Sequence, residues 1–84
     1  MHDLHEADKI LKLVIEYAQK NSLTKVIKIV IDLGSIVEHG QEINPEFLKA
    51  NIALLGEKTL IKGAEIVVNQ IKGDSWVLKE IKGF

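Results

Sequence analysis

The sequence predicts an α+β domain of the broad α/β class. Its order is helix, strand, helix, strand, strand, giving a three-stranded mixed sheet with two helices packed on one face. Three observations carry this. Apolar residues recur at helical spacing over residues 4–20, and again after Asn44-Pro45. Apolar and polar residues nearly alternate over 26–33. Two further strand-like runs, 64–71 and 75–81, flank Lys72-Gly73-Asp74.

In the first segment Leu4, Ala7, Leu11, Val14 and Ala18 form a stripe that Ile10 and Tyr17 widen. Asp8, Lys9, Lys12, Glu16 and Lys20 fill the opposite side. Asp3, followed by Glu6, has the pattern of a capping box with Asp in the capping place. Asn21 and Ser22 end the helix. The next segment puts Ile27, Ile29, Ile31 and Leu33 on one face of a strand, with Val26, Lys28, Val30 and Asp32 on the other, and Gly34 closes it. Residues 35–43 read as a polar loop carrying His39 and Gly40. In Asn44-Pro45-Glu46 the Asn caps, the Pro takes the first turn and the Glu meets the positive helix end. Phe47, Leu48, Ile52 and Leu55 supply that helix's apolar stripe, and Gly56 lies near its end. A strand–helix–strand unit pairs its strands in parallel. Lys72-Gly73-Asp74 then reads as a tight hairpin turn adding an antiparallel strand.

At 84 residues the chain is expected to form a single domain, 1–84. A hydrophobic content of 46% argues against disorder. Lys plus Arg total 11 against 12 acids, so no net basic character points to nucleic acid or an anionic membrane. With no cysteine, disulfides, thiolate catalysis and thiolate metal sites are excluded. No apolar stretch approaches the roughly 20 residues that a membrane helix needs. The opening residues carry His and acids rather than a basic and then apolar run, so the expected compartment is the cytoplasm. Ser22, Ser35 and Ser75 lie in no nucleophile-elbow pattern, and no glycine-rich phosphate loop follows a strand. The chain does not read as an enzyme.

The chemistry gathers in Met1-His2-Asp3-Leu4-His5-Glu6. One reading is structural: the acids start the helix, His5 is an exposed first-turn residue and His2 is unengaged. The other is a metal site. A free α-amine followed by His offers the amine, the His2 amide and the His2 imidazole, which close small fused, nearly planar chelate rings. That set suits square-planar Ni(II) or Cu(II) and is a poor match for tetrahedral Zn(II). The bulk of His2 disfavours removal of Met1. A fourth position stays open to Asp3, His5, His39 or a partner's side chain.

Met1-His2-Asp3-Leu4 at a helix start resembles the N-terminus of the HypA family, nickel-incorporation accessory proteins of hydrogenase and urease maturation. Ile31-Asp32-Leu33-Gly34 is similar to the end of that family's first strand, and Pro45-Glu46-Phe47-Leu48 to the start of its second helix. Thr59-Leu60-Ile61-Lys62-Gly63-Ala64-Glu65-Ile66 resembles the entry to its second strand, and Leu78-Lys79-Glu80-Ile81 its closing strand. The resemblance implies the same core fold. It also implies nickel as the metal, the Met1 amine and His2 as ligands, Asp3 where the family usually has Glu, and a HypB-type GTPase as partner. This chain departs by lacking the family's Cys-rich zinc domain, in whose place Lys72-Gly73-Asp74 stands, so no zinc site is expected. Ser35 replaces a frequent Glu, the loop 37–43 is longer and brings in His39, and His5 stands where a small residue is common.

Two functions follow. One is a nickel-binding metallochaperone delivering Ni(II) for [NiFe]-hydrogenase or urease maturation, with Met1, His2, Asp3 and His5 as metal residues. The other is a protein-interaction module of HypA-like fold without metal handling. It would use the open sheet face and the last strand, with Trp76 as either a docking anchor or a core residue, Phe84 nearby, and a homodimer as one outcome.

Overall fold

A computed structural model of the chain describes residues 4–38 and 41–84. The elements run α1 (Leu4–Lys20), β1 (Val26–Leu33), β2 (Val37–Glu38), β3 (Gln41–Glu42), α2 (Pro45–Leu55), β4 (Glu65–Gln70) and β5 (Trp76–Gly83). β1, β4 and β5 form the three-stranded mixed sheet, and β1 lies in its middle.

The core fills the space between this sheet and the two helices. From α1 come Ala7, Ile10, Leu11, Val14 and Ala18; from β1, Val26, Ile29, Ile31 and Leu33; from α2, Leu48 and Ile52; with Ile61 and Ile66 completing it. No polar or charged side chain is buried among the described residues. Burial of these side chains, at roughly 1.5–3 kcal/mol each, supplies the folding force.

Helical spacing accounts for the limits of the α1 stripe. Ile10 lies fully inside it, whereas Tyr17 falls just beyond the same edge and is 42% exposed. α1 ends in a Schellman turn. Leu23 N–H donates to Ala18 C=O (2.8 Å), Ser22 N–H donates to Gln19 C=O (3.1 Å), and Ser22 takes the left-handed conformation at φ 58°. α2 begins as its sequence predicts: the Asn44 side chain accepts from Glu46 N–H at 2.8 Å and Phe47 N–H at 3.4 Å, with Pro45 in the first turn.

Three expectations are corrected. The run 64–71 and the run 75–81 do not form a hairpin. β4 pairs with β1 in parallel and β5 pairs with β1 antiparallel, so the two flank it from opposite sides. The Lys72-Gly73-Asp74 segment instead crosses the end of β1. Ile71 N–H donates to Leu33 C=O (2.9 Å), Gly34 N–H to Ser75 C=O (2.9 Å) and Ser35 N–H to Gly73 C=O (2.7 Å). β1 is the strand richest in aliphatic residues and takes the position with neighbours on both sides.

The face of β1 is the second correction. Val26 is fully buried and Ile27 is 48% exposed, the reverse of simple alternation. The register with β5 shifts between Val26 and Lys28, so Ile27 is the extra residue of a bulge and parity flips there. The third concerns the expected loop 35–43. Val37 pairs with Glu42 and Glu38 with Gln41, making a small two-stranded ribbon. Ile36 and Ile43, at its base, both pack against the core and are joined by Ile43 N–H to Ile36 C=O at 2.8 Å. Two anchored isoleucines force the chain between them to go out and return.

Candidate metal centre

The proposed metal residues Met1, His2 and Asp3 lie outside the described residues, as does His39. His5 is in the first turn of α1, and its side chain is likewise outside what is described. The expected capping box also falls there, since it needs Asp3. Among the described residues no three His, Cys, Asp or Glu side chains gather closely enough to hold a metal ion.

What the structure does describe is the platform next to that segment. β1 ends at Leu33, which pairs across the sheet with Trp76 at the start of β5. Leu33 is 2% exposed, and Trp76 packs half-buried against the same core. Trp76 is therefore mainly a packing residue and not an exposed anchor. A half-buried indole needs a partner for its N–H. Trp76 Nε1 finds it in Glu6, donating to Oε2 at 2.7 Å.

Glu6 occupies the first turn of α1, so this bond ties the helix start to the start of β5. The Glu6 side chain is only 16% exposed, and Lys9 Nζ stands 3.7 Å from its Oε1. The carboxylate thus meets a ring N–H and an ammonium group where water is partly excluded. A hydrogen bond to a charged acceptor contributes roughly 1.5–3 kcal/mol net in such a setting. The Lys12–Asp8 pair one turn on, at 3.0 Å, is open to solvent and contributes well under about 1 kcal/mol.

The sequence reading missed the Glu6–Trp76 bond. The available signal was a single Trp at the head of a strand, whose N–H has to be satisfied if it is packed. Nothing local identifies a partner so far away along the chain.

The end of the sheet beside Glu6 is also where the ribbon β2–β3 departs, directly after Gly34 and Ser35. The same end carries the 71–75 crossing. The elements that border the amino-terminal segment, the His39 segment and the crossing therefore converge on one edge of the fold.

No family model matches the chain. Individual relatives do. The chain is 31% identical over 90 residues to hydrogenase maturation factor HypA of Pyrococcus abyssi, covering 98% of this chain and 62% of that protein. It is 34% identical over 71 residues to hydrogenase maturation factor HypA of Methanobrevibacter smithii, covering 84% of this chain and 54% of that protein. The chain thus spans about three-fifths or less of the curated relatives' length. In fold it is similar to the solution structure of the Ni metallochaperone HypA from Helicobacter pylori, with TM-score 0.77 and 14% identity over 99% of this chain and 97% of that one. Two helices over a three-stranded mixed sheet are the shared architecture. Its sequence relatives, with a fold that agrees, make the chain similar to HypA proteins over nearly its whole length.

Proposed function

We propose that this protein binds Ni(II) as cargo at its amino terminus and passes it on during maturation of a [NiFe]-hydrogenase or a urease. The observation that carries this reading is Met1-His2 directly ahead of α1 in a chain whose relatives are named hydrogenase maturation factors. The donors are the Met1 amine, the His2 amide nitrogen and the His2 imidazole, a set matched to square-planar nickel. Asp3 or His5 completes the plane, and an exposed, exchangeable fourth position is what handover requires. A HypB-type GTPase or another maturation protein is the expected recipient or helper, and the setting is the cytoplasm. No catalytic step is assigned to the chain. Among the described residues, no helix is long and apolar enough to cross a membrane.

The test is calorimetric titration with Ni(II) at about pH 7.5, where amine and imidazole lose protons readily. Wild-type protein is compared with His2→Ala and with a form extended before Met1. The wild type is expected to bind one nickel and both variants to lose that site. Equal binding by all three would remove the proposal.

A further inference from the structure

We infer that the outer edge of β5 is a self-pairing surface. Two copies of this chain join through antiparallel β5 strands, about a two-fold axis between Lys79 and Glu80, so that two three-stranded sheets become one of six strands.

The backbone is the first observation that points to this axis. β5 is an outer strand of its sheet, and among the described residues no strand pairs with its far side. Lys25 and Phe84 exchange backbone bonds of 2.9 Å, and Gly34 N–H donates to Ser75 C=O, so Phe84 and Ser75 turn their backbone groups toward β1. Alternation from each end then turns those of Ile81 and Gly83, and of Trp76 and Leu78, to the open side.

The second observation is a bulge. Where β1 passes from Val30 to Ile31, the register on β5 steps from Glu80 to Leu78, so Lys79 is an extra residue. In an unbroken strand Leu78 and Ile81 would face opposite ways. With the extra residue both pack against the core, as Trp76 does, while Val77 and Lys82 are exposed. β5 therefore reads alike from either end. Two-fold pairing sets Leu78 opposite the partner's Ile81 and Trp76 opposite the partner's Gly83, with outward backbone groups and side-chain faces both matched.

Charge is the third. The same register sets Lys79 opposite the partner's Glu80, and Glu80 opposite the partner's Lys79. Bulges and lysines ordinarily keep an edge strand single. Here the second copy carries the same bulge at the same place, and its acid answers the lysine. Among the described residues Lys79 has no acidic partner, and Glu80 has only the exposed Lys82 at 3.5 Å. A groove of about 260 Å³ lies over this midpoint, with Leu78, Lys79, Glu80 and Ile81 on one side and Tyr17 and Asn21 of α1 on the other. Tyr17, 42% exposed in the single chain, is covered when the second copy comes alongside.

The test is sedimentation equilibrium with a chelator present, which keeps it independent of nickel. Wild type is expected to form a reversible dimer. Lys79→Glu and Glu80→Lys each set like charges opposite one another and are expected to raise the dissociation constant at least about tenfold. Mixed in equal amounts, the two variants regain opposite charges at both positions and are expected to form a heterodimer near wild-type strength. Glu65→Lys, on the opposite edge of the sheet, is expected to leave the dimer unchanged. Amide hydrogen exchange of the wild type locates the contact. Leu78 and Ile81 N–H groups are expected to gain protection as concentration rises, and those of Ile66 and Val68, on the free side of β4, are not. A monomer at about 1 mM, where even weak specific association shows, would overturn the inference. So would no recovery on mixing, an equal loss in Glu65→Lys, or protection at β4 in place of β5.

Discussion

Gly34 passes so close beneath the Gly73 and Ser75 carbonyl oxygens that a methyl group on its Cα would stand 2.7 Å from each. The contact is backbone against backbone, so no rotamer change relieves it. Gly34→Ala is expected to destabilise the fold by about 3 kcal/mol, the upper range for forcing extra atoms into a packed site. Urea unfolding followed by circular dichroism measures this. A change within about 0.5 kcal/mol would mean that the crossing is not held against β1 as described.

The turn after α1 offers a change in the opposite direction. Ser22 adopts φ 58° with a side chain that this region disfavours. Ser22→Gly relieves the crowding but loosens the unfolded chain, and the net gain is expected to be about 0.5–1 kcal/mol. The midpoint of thermal unfolding should rise by several degrees, roughly as that gain implies for a domain of this size.

The bulge in β1 makes a paired prediction. Ile29 is fully buried and Ile27 is 48% exposed. Ile29→Ala is expected to destabilise by about 2–5 kcal/mol, the span for truncating a core isoleucine. Ile27→Ala should fall below about 1 kcal/mol. Equal losses would return β1 to plain alternation.

Nickel binding should depend on pH with a definite sign. The amine, the amide and the imidazole must each be without a proton to bind, so protons compete with the metal and affinity rises with pH. Lowering the pH from about 8 to about 6 should weaken binding by at least about a hundredfold, since two or more protons are taken up. Calorimetry in buffers of different ionisation enthalpy counts the protons released. A pH-independent affinity would exclude the amine–amide chelate.

How far the sequence foretold this molecule depends on how local each signal was. α1 and β1 begin and end where the periodicity places them, because helical spacing and alternation are written in adjacent residues. Asn44-Pro45 marked the start of α2 for the same reason. The partner of β5 was not legible. Lys72-Gly73-Asp74 looks like a hairpin turn from within, and only the competition for β1 decides that the chain crosses over instead. Ile27 was misassigned because a bulge depends on the neighbouring strand's register. At the proposed site, Met1 and His2 suggest chelate chemistry by residue type alone and lie outside the described residues. The Glu6–Trp76 contact was not legible, because it exists only once β5 is seated.

The seating of β5 also orders events in time. Val26 pairs with Gly83 across all of α2 and β4, so one side of the central strand has no neighbour until residues 76–83 have been synthesised. A nascent chain ending before Trp76 presents β1 as a bare apolar edge, the kind that templates association with other chains. Assembly of this sheet is therefore expected to begin with the parallel β1–β4 pair and to escape that association only when β5 closes the open side.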